Sequence, residues 1–271
     1  RGSVWRKCDL QVHTYMDPKW SWPSNYPAGK DKENERRDKF NGDLIRYCSS
    51  NEISIIAITD HNTAEAIDDL LTKNKSLNYP ITILPGVEVI SSEGIHILVI
   101  FDPNPKIDLK RWNTWRETID NFLTDIGVQK PRFENEAQRN VPDTANETVE
   151  NIIKKSIEYS AIVILPHTNS ANGGIFKKGD SRTRKRILKR CRILDLACEL
   201  AVLADRIKDI VKELENHGLK PSDYAVINTS DSRKIQDVGS KFIWIKADPT
   251  FEGLKQIIYE PQLRVCINDR A

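Results

Sequence analysis

Side chains that could bind metal ions recur at the ends of apolar runs. Gln11 and His13 end the first such run, in the string D-L-Q-V-H-T, and His61 ends the next, in T-D-H-N. Later runs carry four more such residues, in chain order Glu88, His96, His167 and Asp231. Because the carboxyl ends of strands in a β/α barrel converge on one rim, we expect these residues to form one cluster.

Such a cluster indicates metal chemistry. Imidazole and carboxylate groups brought together need a common partner, and a divalent cation supplies one. Glu88 could bridge two cations, which lie roughly 3.5–4 Å apart in two-metal sites, so that an activated hydroxide attacks phosphorus. The mixed histidine and carboxylate set favours zinc, manganese or iron over magnesium or calcium.

The elements that must position these residues alternate along the chain. Short β-branched runs predict strands at residues 53–59, 81–84, 95–101, 161–165, 193–197, 224–228 and 242–246. Helical periodicity covers residues 35–50, 63–74, 109–126, 148–159, 182–190, 202–216 and 251–259. The alternation predicts an α/β fold with a mainly parallel sheet, and the absence of glycine-rich nucleotide motifs favours a barrel. Residues 15–32 and 130–146 break the rhythm and are predicted to be loop insertions.

Composition narrows the class of protein. The 271 residues, 39% of them hydrophobic, can bury one large core, so we expect a single domain. The 41 Lys and Arg residues nearly cancel 39 Asp and Glu residues, so net charge does not identify a partner. Five scattered cysteines argue against a disulfide framework, and no apolar run is long enough to cross a membrane. We expect a cytoplasmic protein without membrane contact.

The order of the motifs resembles that of the PHP (polymerase and histidinol phosphatase) superfamily. The resemblance runs over residues 7–233, from D-L-Q-V-H-T through T-D-H-N, G-V-E, the histidine before an apolar strand and P-H to S-D-S. It implies an irregular seven-stranded barrel of PHP type and a metal-dependent phosphoesterase with two or three divalent ions.

The resemblance also implies a role for each residue. His13, Glu88 and Asp231 would bind a first metal ion. Glu88, His96 and His167 would bind a second, and His61 would belong to a third. Apart from the resemblance, we expect His167, or another group of the rim, to help the leaving oxygen depart.

Two positions depart from the family pattern. Gln11 stands where the first histidine of H-x-H is usual, and Arg233 stands where D-x-H has its histidine. An amide is a weak ligand and a guanidinium cannot bind a metal ion, which puts the third site in question. Asp17 could compensate beside His61, or Arg233 could hold a substrate phosphate instead.

A closer resemblance covers almost the whole chain. The opening G-S-x-W-R-K, the D-P-x-W string and the closing T-F-E-G-L-K-Q-I-I-Y-E-P resemble the PHP module that precedes an SMC-like or AAA-like ATPase in a group of bacterial proteins. In that group the glutamine at the first motif is usual. The resemblance implies that the chain is the N-terminal part of a longer protein and that such an ATPase is a partner.

A basic run at residues 177–192 suggests nucleic acid. It holds nine basic residues and one acidic residue, and the predicted phosphate contacts are Lys177, Lys178, Arg182, Arg184, Lys185 and Arg186. A solvated helix face is the alternative. Trp20 and Trp22 could stack on bases or pack as hydrophobic lids.

Three functions remain open on the sequence. The leading hypothesis is a nuclease-like phosphodiesterase that hydrolyses nucleic acid. A phosphatase of small molecules, such as a nucleotide or histidinol phosphate, is the second. A non-catalytic, metal-stabilised docking module for an ATPase is the third.

Overall fold

The computed structural model describes residues 4–103, 115–128 and 144–267, and these form a mixed α/β fold. The strands are β1 Trp5–Val12, β2 Ile53–Ile58, β3 Thr82–Ile90, β4 His96–Ile100, β5 Ile162–Ile164, β6 Ile193–Asp195, β7 Ala225–Ile227, β8 Ile243–Lys246 and β9 Val265–Ile267. The α-helices are α1 Glu33–Ser50, α2 Ile67–Ser76, α3 Trp115–Asp125, α4 Val149–Glu158, α5 Ile175–Lys178, α6 Ser181–Leu188, α7 Leu200–Asn216, α8 Phe251–Lys255 and α9 Pro261–Arg264.

The strands form a curled sheet that does not close. Seven strands pair in the order β5-β4-β3-β2-β1-β8-β9, and β6 pairs with β7 in a second sheet. A single bridge between Leu165 and Leu194 links the two sheets. Within the described residues no ladder joins β7 to β9, so the predicted barrel is a half-barrel.

The sheet is mixed, and the prediction of a mainly parallel sheet is wrong. The pairs β1–β2, β2–β3 and β6–β7 are parallel, but β1–β8, β3–β4, β4–β5 and β8–β9 are antiparallel. The reason is clearest at β3 and β4. Only residues 91–95 separate these strands, which is too short for the helical crossover that parallel strands require.

Two hydrophobic clusters hold the sheet in place. One draws side chains from every strand and from α8, including Leu10, Ile55, Leu98 and Phe251. The other packs helices α1, α2, α3, α4 and α7 onto the sheet. Burial of these apolar side chains stabilises the curvature that brings the strand ends together.

Most predicted elements are confirmed to within a few residues. Strand β9 was not predicted. The first residues of the predicted helix at residues 109–126 lie outside the described residues, and α3 begins at Trp115. The insertion at residues 15–32 consists of turns and a short 3₁₀ helix, Lys30–Lys32. Residues 130–143 of the second predicted insertion lie outside the described residues. Among the described helices, none combines the length and the apolar character needed to span a membrane.

Candidate metal centre

The strand ends bring the predicted ligands together. His13 follows β1, and its backbone N–H donates to the Ser232 carbonyl at 3.0 Å, beside Asp231. A parallel bridge joins His61 to Glu88. A third contact, from the Thr59 backbone N–H to the Val12 carbonyl at 3.0 Å, joins these two pairs into one cluster.

The carboxylate of Glu88 lies at the centre of this cluster. Its Oε1 atom lies 2.5 Å from His96 Nδ1 and 3.6 Å from both His61 Nε2 and His167 Nε2. Its Oε2 atom lies 3.6 Å from His13 Nε2 and accepts a 2.9 Å hydrogen bond from the Gln11 amide. Four imidazoles and one amide therefore surround a single side chain that is 1% exposed.

Asp17 fixes the orientation of two of these imidazoles. Its Oδ2 atom lies 2.9 Å from His13 Nδ1 and 2.7 Å from His61 Nδ1, and it also accepts the His61 backbone N–H at 3.1 Å. The two rings stack with centroids 5.1 Å apart and planes 13° apart. Because Asp17 takes the Nδ1 side of both rings, both Nε2 atoms face Glu88. Carboxylates commonly orient metal-binding imidazoles in this way.

Asp231 lies at the opposite side of His13. Its Oδ1 atom is 3.0 Å from His13 Nε2 and 3.1 Å from Arg233 Nη1. The Gln11 amide also donates to Oδ1, at 3.4 Å, and its own oxygen accepts a 3.1 Å hydrogen bond from the Thr229 hydroxyl. Asp231 has a φ of 51°, a conformation that is costly for a non-glycine residue and that clusters at functional sites.

The donor set fits a divalent cation. The Nε2 atom of His61 is buried and has no hydrogen-bond partner among the described residues. Three groups place their ligand atoms within 4.8 Å of one another: His13, His61 and Glu88; Glu88, His96 and His167; and His13, Asp17 and Asp60. A buried imidazole nitrogen that faces a carboxylate without bonding to the protein is suited to a metal ion.

The charges of the cluster depend on one another. Burial raises the pKa of Glu88, but the imidazoles of His61, His167, His96 and His13 outweigh burial and hold that pKa well below its usual range. Burial lowers the pKa of His13, but Asp17 and Asp231 outweigh it and raise the pKa to about 10. A bound cation would compete with protons for ring nitrogen atoms, because a metal ion binds the neutral imidazole.

Three buried aspartates, which were not predicted as site residues, accept hydrogen bonds from the backbone next to the cluster. Asp9 accepts the backbone N–H groups of Ser230 at 3.1 Å and Gly239 at 2.8 Å. Asp195 accepts those of His167 at 3.1 Å and Thr229 at 2.9 Å. Burial raises the pKa of each to about 6. Both aspartates lie within or directly after short apolar runs, which is the sequence signal that could have identified them.

The third aspartate is Asp60. Both of its oxygens accept hydrogen bonds from Thr14, one from the backbone N–H and the other from the hydroxyl, each at 2.6 Å. Asp60 therefore fixes the turn that carries His13.

A glycine lets the neighbouring loop approach the centre. The His96 backbone N–H donates to the Gly173 carbonyl at 3.0 Å. Gly173 has a φ of 88°, and a Cβ atom there would lie 2.1 Å from His96 Cδ2. No larger residue fits without moving the imidazole.

A cavity of about 610 Å³ opens onto the centre. The lining residues are Lys19, His61, Glu88, His96, His167, Asn169, Ser170, Asn172, Leu196, Ala197, Cys198, Arg206, Asp231 and Arg233. Neither Lys19 nor Arg206 was predicted as a site residue, because Lys19 is the variable position of D-P-x-W and Arg206 belongs to no motif.

The predicted nucleic-acid residues lie elsewhere. None of Lys177, Lys178, Arg182, Arg184, Lys185 and Arg186 lines the cavity. Arg184 pairs with Glu213 at 2.8 Å, and Arg186 and Arg190 share Glu150 at 3.2 and 3.4 Å. Part of the basic run therefore forms ion pairs that link α6 to α4 and α7.

The tryptophans of the first insertion pack against each other and against α1. Trp20 is 4% exposed and meets Phe40 and Trp22 edge to face. Trp22 stacks on Tyr15 with ring centroids 5.3 Å apart, and Arg36 lies over its ring at 4.4 Å. The burial of Trp20 contradicts base stacking by that residue and agrees with the hydrophobic-lid alternative.

Comparisons with known proteins find similarity in fold only. No family model and no curated protein matches the chain. A lesion-specific endonuclease of Pyrococcus furiosus superposes with a TM-score of 0.62 at 14% identity, over 94% of this chain and 56% of that one. Endonuclease Q in complex with a 27-mer duplex substrate gives 0.59 at 13% identity, over 94% and 57%. The chain thus spans little more than half the length of these endonucleases. An amidohydrolase of Chromobacterium violaceum gives 0.50 at 15% identity, over 86% and 89%.

Proposed function

We propose that the protein is a metal-dependent phosphoesterase, a hydrolase that cleaves phosphodiester bonds of nucleic acid. The observation that carries this proposal is the Glu88 carboxylate with four imidazole groups around it at the floor of an open cavity. Such a donor set suits zinc, manganese or iron.

We propose two ions. Glu88, His96 and His167 would hold one, since their ligand atoms lie within 4.8 Å of one another. His13, Glu88 and Asp231 would hold the other, with Asp231 Oδ1 at 3.0 Å and Glu88 Oε2 at 3.6 Å from His13 Nε2, and His61 Nε2 faces the same Glu88 carboxylate. Asp17 would position imidazoles rather than bind a third ion, because its Oδ2 atom already lies 2.9 Å from His13 Nδ1 and 2.7 Å from His61 Nδ1. Gln11 would support Glu88 through its amide N–H rather than act as a ligand.

The bound ions would act as Lewis acids and would lower the pKa of the water bound to them. The chain itself would orient the substrate: Arg233, whose Nη1 lies 3.1 Å from Asp231 Oδ1, presents a guanidinium to a phosphoryl oxygen. The two roles predicted for His167 compete, because a nitrogen that binds a metal ion has no proton to give. Since His167 Nε2 faces Glu88 at 3.6 Å, we favour its metal role, and another group of the rim would protonate the leaving oxygen.

The endonucleases of similar fold support nucleic acid as the substrate class to test first. One is described as lesion-specific and the other was solved with a duplex bearing an abasic lesion. The SMC-like or AAA-like ATPase partner stays a prediction of the sequence.

The test is hydrolysis of bis(p-nitrophenyl) phosphate with Mn²⁺ or Zn²⁺. We expect Glu88→Gln to lower the rate by at least about 100-fold, because one carboxylate serves both ions. Glu213→Gln is the matched control, since Glu213 pairs with Arg184 outside the cavity. Full activity in the presence of a chelator would contradict the proposal.

A small-molecule phosphatase is the second candidate. The cavity volume, about 610 Å³, lies within the range of roughly 300–1,000 Å³ typical of small-ligand sites. Faster turnover of nucleoside monophosphates than of single-stranded oligonucleotides would favour it. Metal binding without hydrolysis of any ester would favour the docking module.

A further inference from the structure

Two cations that line the cavity have no part in the metal centre, and both are far more exposed than Glu88: Lys19 is exposed and the Arg206 side chain is 44% exposed. Lys19 follows Asp17 by two residues, and its backbone N–H donates to Asp17 Oδ1 at 2.8 Å. Arg206 lies in the second turn of α7. Both line the same cavity as Glu88, although 187 residues separate them in sequence.

Neither cation is neutralised by a strong ion pair. Arg206 Nη1 lies 3.5 Å from Asp209 Oδ2, and the two side chains are 44% and 56% exposed, so the pair contributes little. Among the described residues, the ammonium group of Lys19 makes no ion pair. Arg184 of the basic run differs, since it lies 2.8 Å from Glu213 and the two side chains are only 24% and 20% exposed.

The depth of the centre decides how a substrate must enter. Glu88 is 1% exposed, and the side chains of His96 and His167 are each 14% exposed. A phosphate that reaches them must descend to the floor of the cavity, which a flexible single strand or a strand end can do. The phosphates next to it along the strand then remain at the mouth, where Lys19 and Arg206 lie.

We propose that Lys19 and Arg206 bind the phosphates that flank the scissile one, and that the substrate is a single-stranded polynucleotide or a strand end. The strand enters between these two residues and does not follow the basic run on α5 and α6. This inference rests on the proposed function and adds to it the route of the substrate.

Binding of a fluorescein-labelled single-stranded 12-mer to metal-free protein tests the route without hydrolysis. Fluorescence anisotropy over a range of NaCl concentrations gives the slope of log K against log salt, which changes by about 0.7 for each phosphate that the protein no longer neutralises. We expect Arg206→Gln and Lys19→Gln each to reduce the slope by about that amount. Lys208→Gln is the matched control on α7, because Lys208 is 78% exposed and outside the cavity.

The rival route predicts the reverse pattern. If the slope falls in Arg186→Gln and Lys185→Gln but not in Arg206→Gln or Lys19→Gln, the strand follows the basic run and the inference is wrong. Equal slopes in all the variants would also overturn it.

Hydrolysis separates this inference from the proposed function. We expect Arg206→Gln to lower kcat/KM at least about 10-fold more on an oligonucleotide than on bis(p-nitrophenyl) phosphate, which has no flanking phosphate. Equal losses on both substrates would overturn the inference and leave the phosphoesterase intact. No hydrolysis of either substrate by the unchanged protein would instead refute the proposed function.

Discussion

The two imidazoles held by Asp17 offer the sharpest test of the centre. Asp17→Asn keeps the shape of the side chain but removes its charge and replaces one oxygen with an N–H donor. In the unchanged protein one oxygen serves both rings, at 2.9 Å from His13 Nδ1 and 2.7 Å from His61 Nδ1. The amide oxygen can take the place of Oδ2 only if the NH2 group faces the Lys19 backbone N–H, which donates to Oδ1 in the unchanged protein. The neutral oxygen is also a weaker acceptor than the carboxylate, so both rings are held less firmly toward Glu88.

The expected loss follows from the number of ligands affected. Removing a carboxylate that orients a metal-binding imidazole typically lowers metal affinity by ~10–100-fold. Because Asp17 orients two, we expect about 100-fold, which corresponds to ~2.7 kcal/mol of binding free energy. Zinc affinity measured by competition with a chromophoric chelator gives this number. Asp38→Asn is the control, since Asp38 is 66% exposed and pairs with Lys73 on the surface.

The number of ions at saturation tells positioning from ligation. If Asp17 positions the rings, the variant still binds as many ions per chain as the unchanged protein, only more weakly. Loss of one ion per chain would mean that Asp17 is a ligand, as one interpretation of the sequence suggested. Zinc affinity within two-fold of the unchanged protein would refute the role of Asp17 altogether.

Three further predictions concern stability, all measured by thermal or urea unfolding. Metal at 100 times its Kd stabilises the protein by ~2.7 kcal/mol, or about 5–10 °C in Tm, and both a chelator and Glu88→Gln remove this gain. Gly173→Ala lowers the free energy of unfolding by about 3 kcal/mol or more, because its Cβ would lie 2.1 Å from His96 Cδ2. The control Gly218→Ala, at a position with φ 69° and open space, lowers it by only about 1 kcal/mol. Equal losses in the two variants would contradict the contact with His96. The pKa of His13 is raised from 6.5 to about 10 in the folded protein, so its stabilising contribution is complete below pH 6.5 and is lost as the pH rises to 10. The metal-free His13→Gln variant should not lose stability over this pH range. A pH profile of stability that is the same in the variant would count against the raised pKa of His13.

The sequence predicted which potential ligands come together, because most of them lie where an apolar run ends. The period of the apolar residues marks the strand ends, and in a curled sheet strand ends meet on one rim. Gln11, His13, His61, Glu88 and Asp231 were all located in this way. Their roles could not be read from position, since a histidine has two ring nitrogens and only the fold decides which one faces Glu88.

The direction of the strands and the position of the charges could not be predicted in the same way. The antiparallel return of β4 onto β3 follows from a connection of five residues, but the pairing of β1 with β8 joins segments more than 200 residues apart. Arg206 belongs to no motif and reaches the cavity only because α7 packs beside it. The sequence gives no sign that Arg184 and Arg186 are paired, but in the fold they form ion pairs with Glu213 on α7 and Glu150 on α4.

What the sequence alone determined is therefore the α/β alternation and the set of chemical groups at the strand ends, since both follow from local hydrophobic periodicity. The tertiary structure decided that the barrel stays open, that Asp17 braces His13 and His61, and that Lys19 and Arg206 share one cavity. Those features depend on distances between residues far apart in the chain. Such distances are set by strand order and helix packing, which no short stretch of sequence encodes.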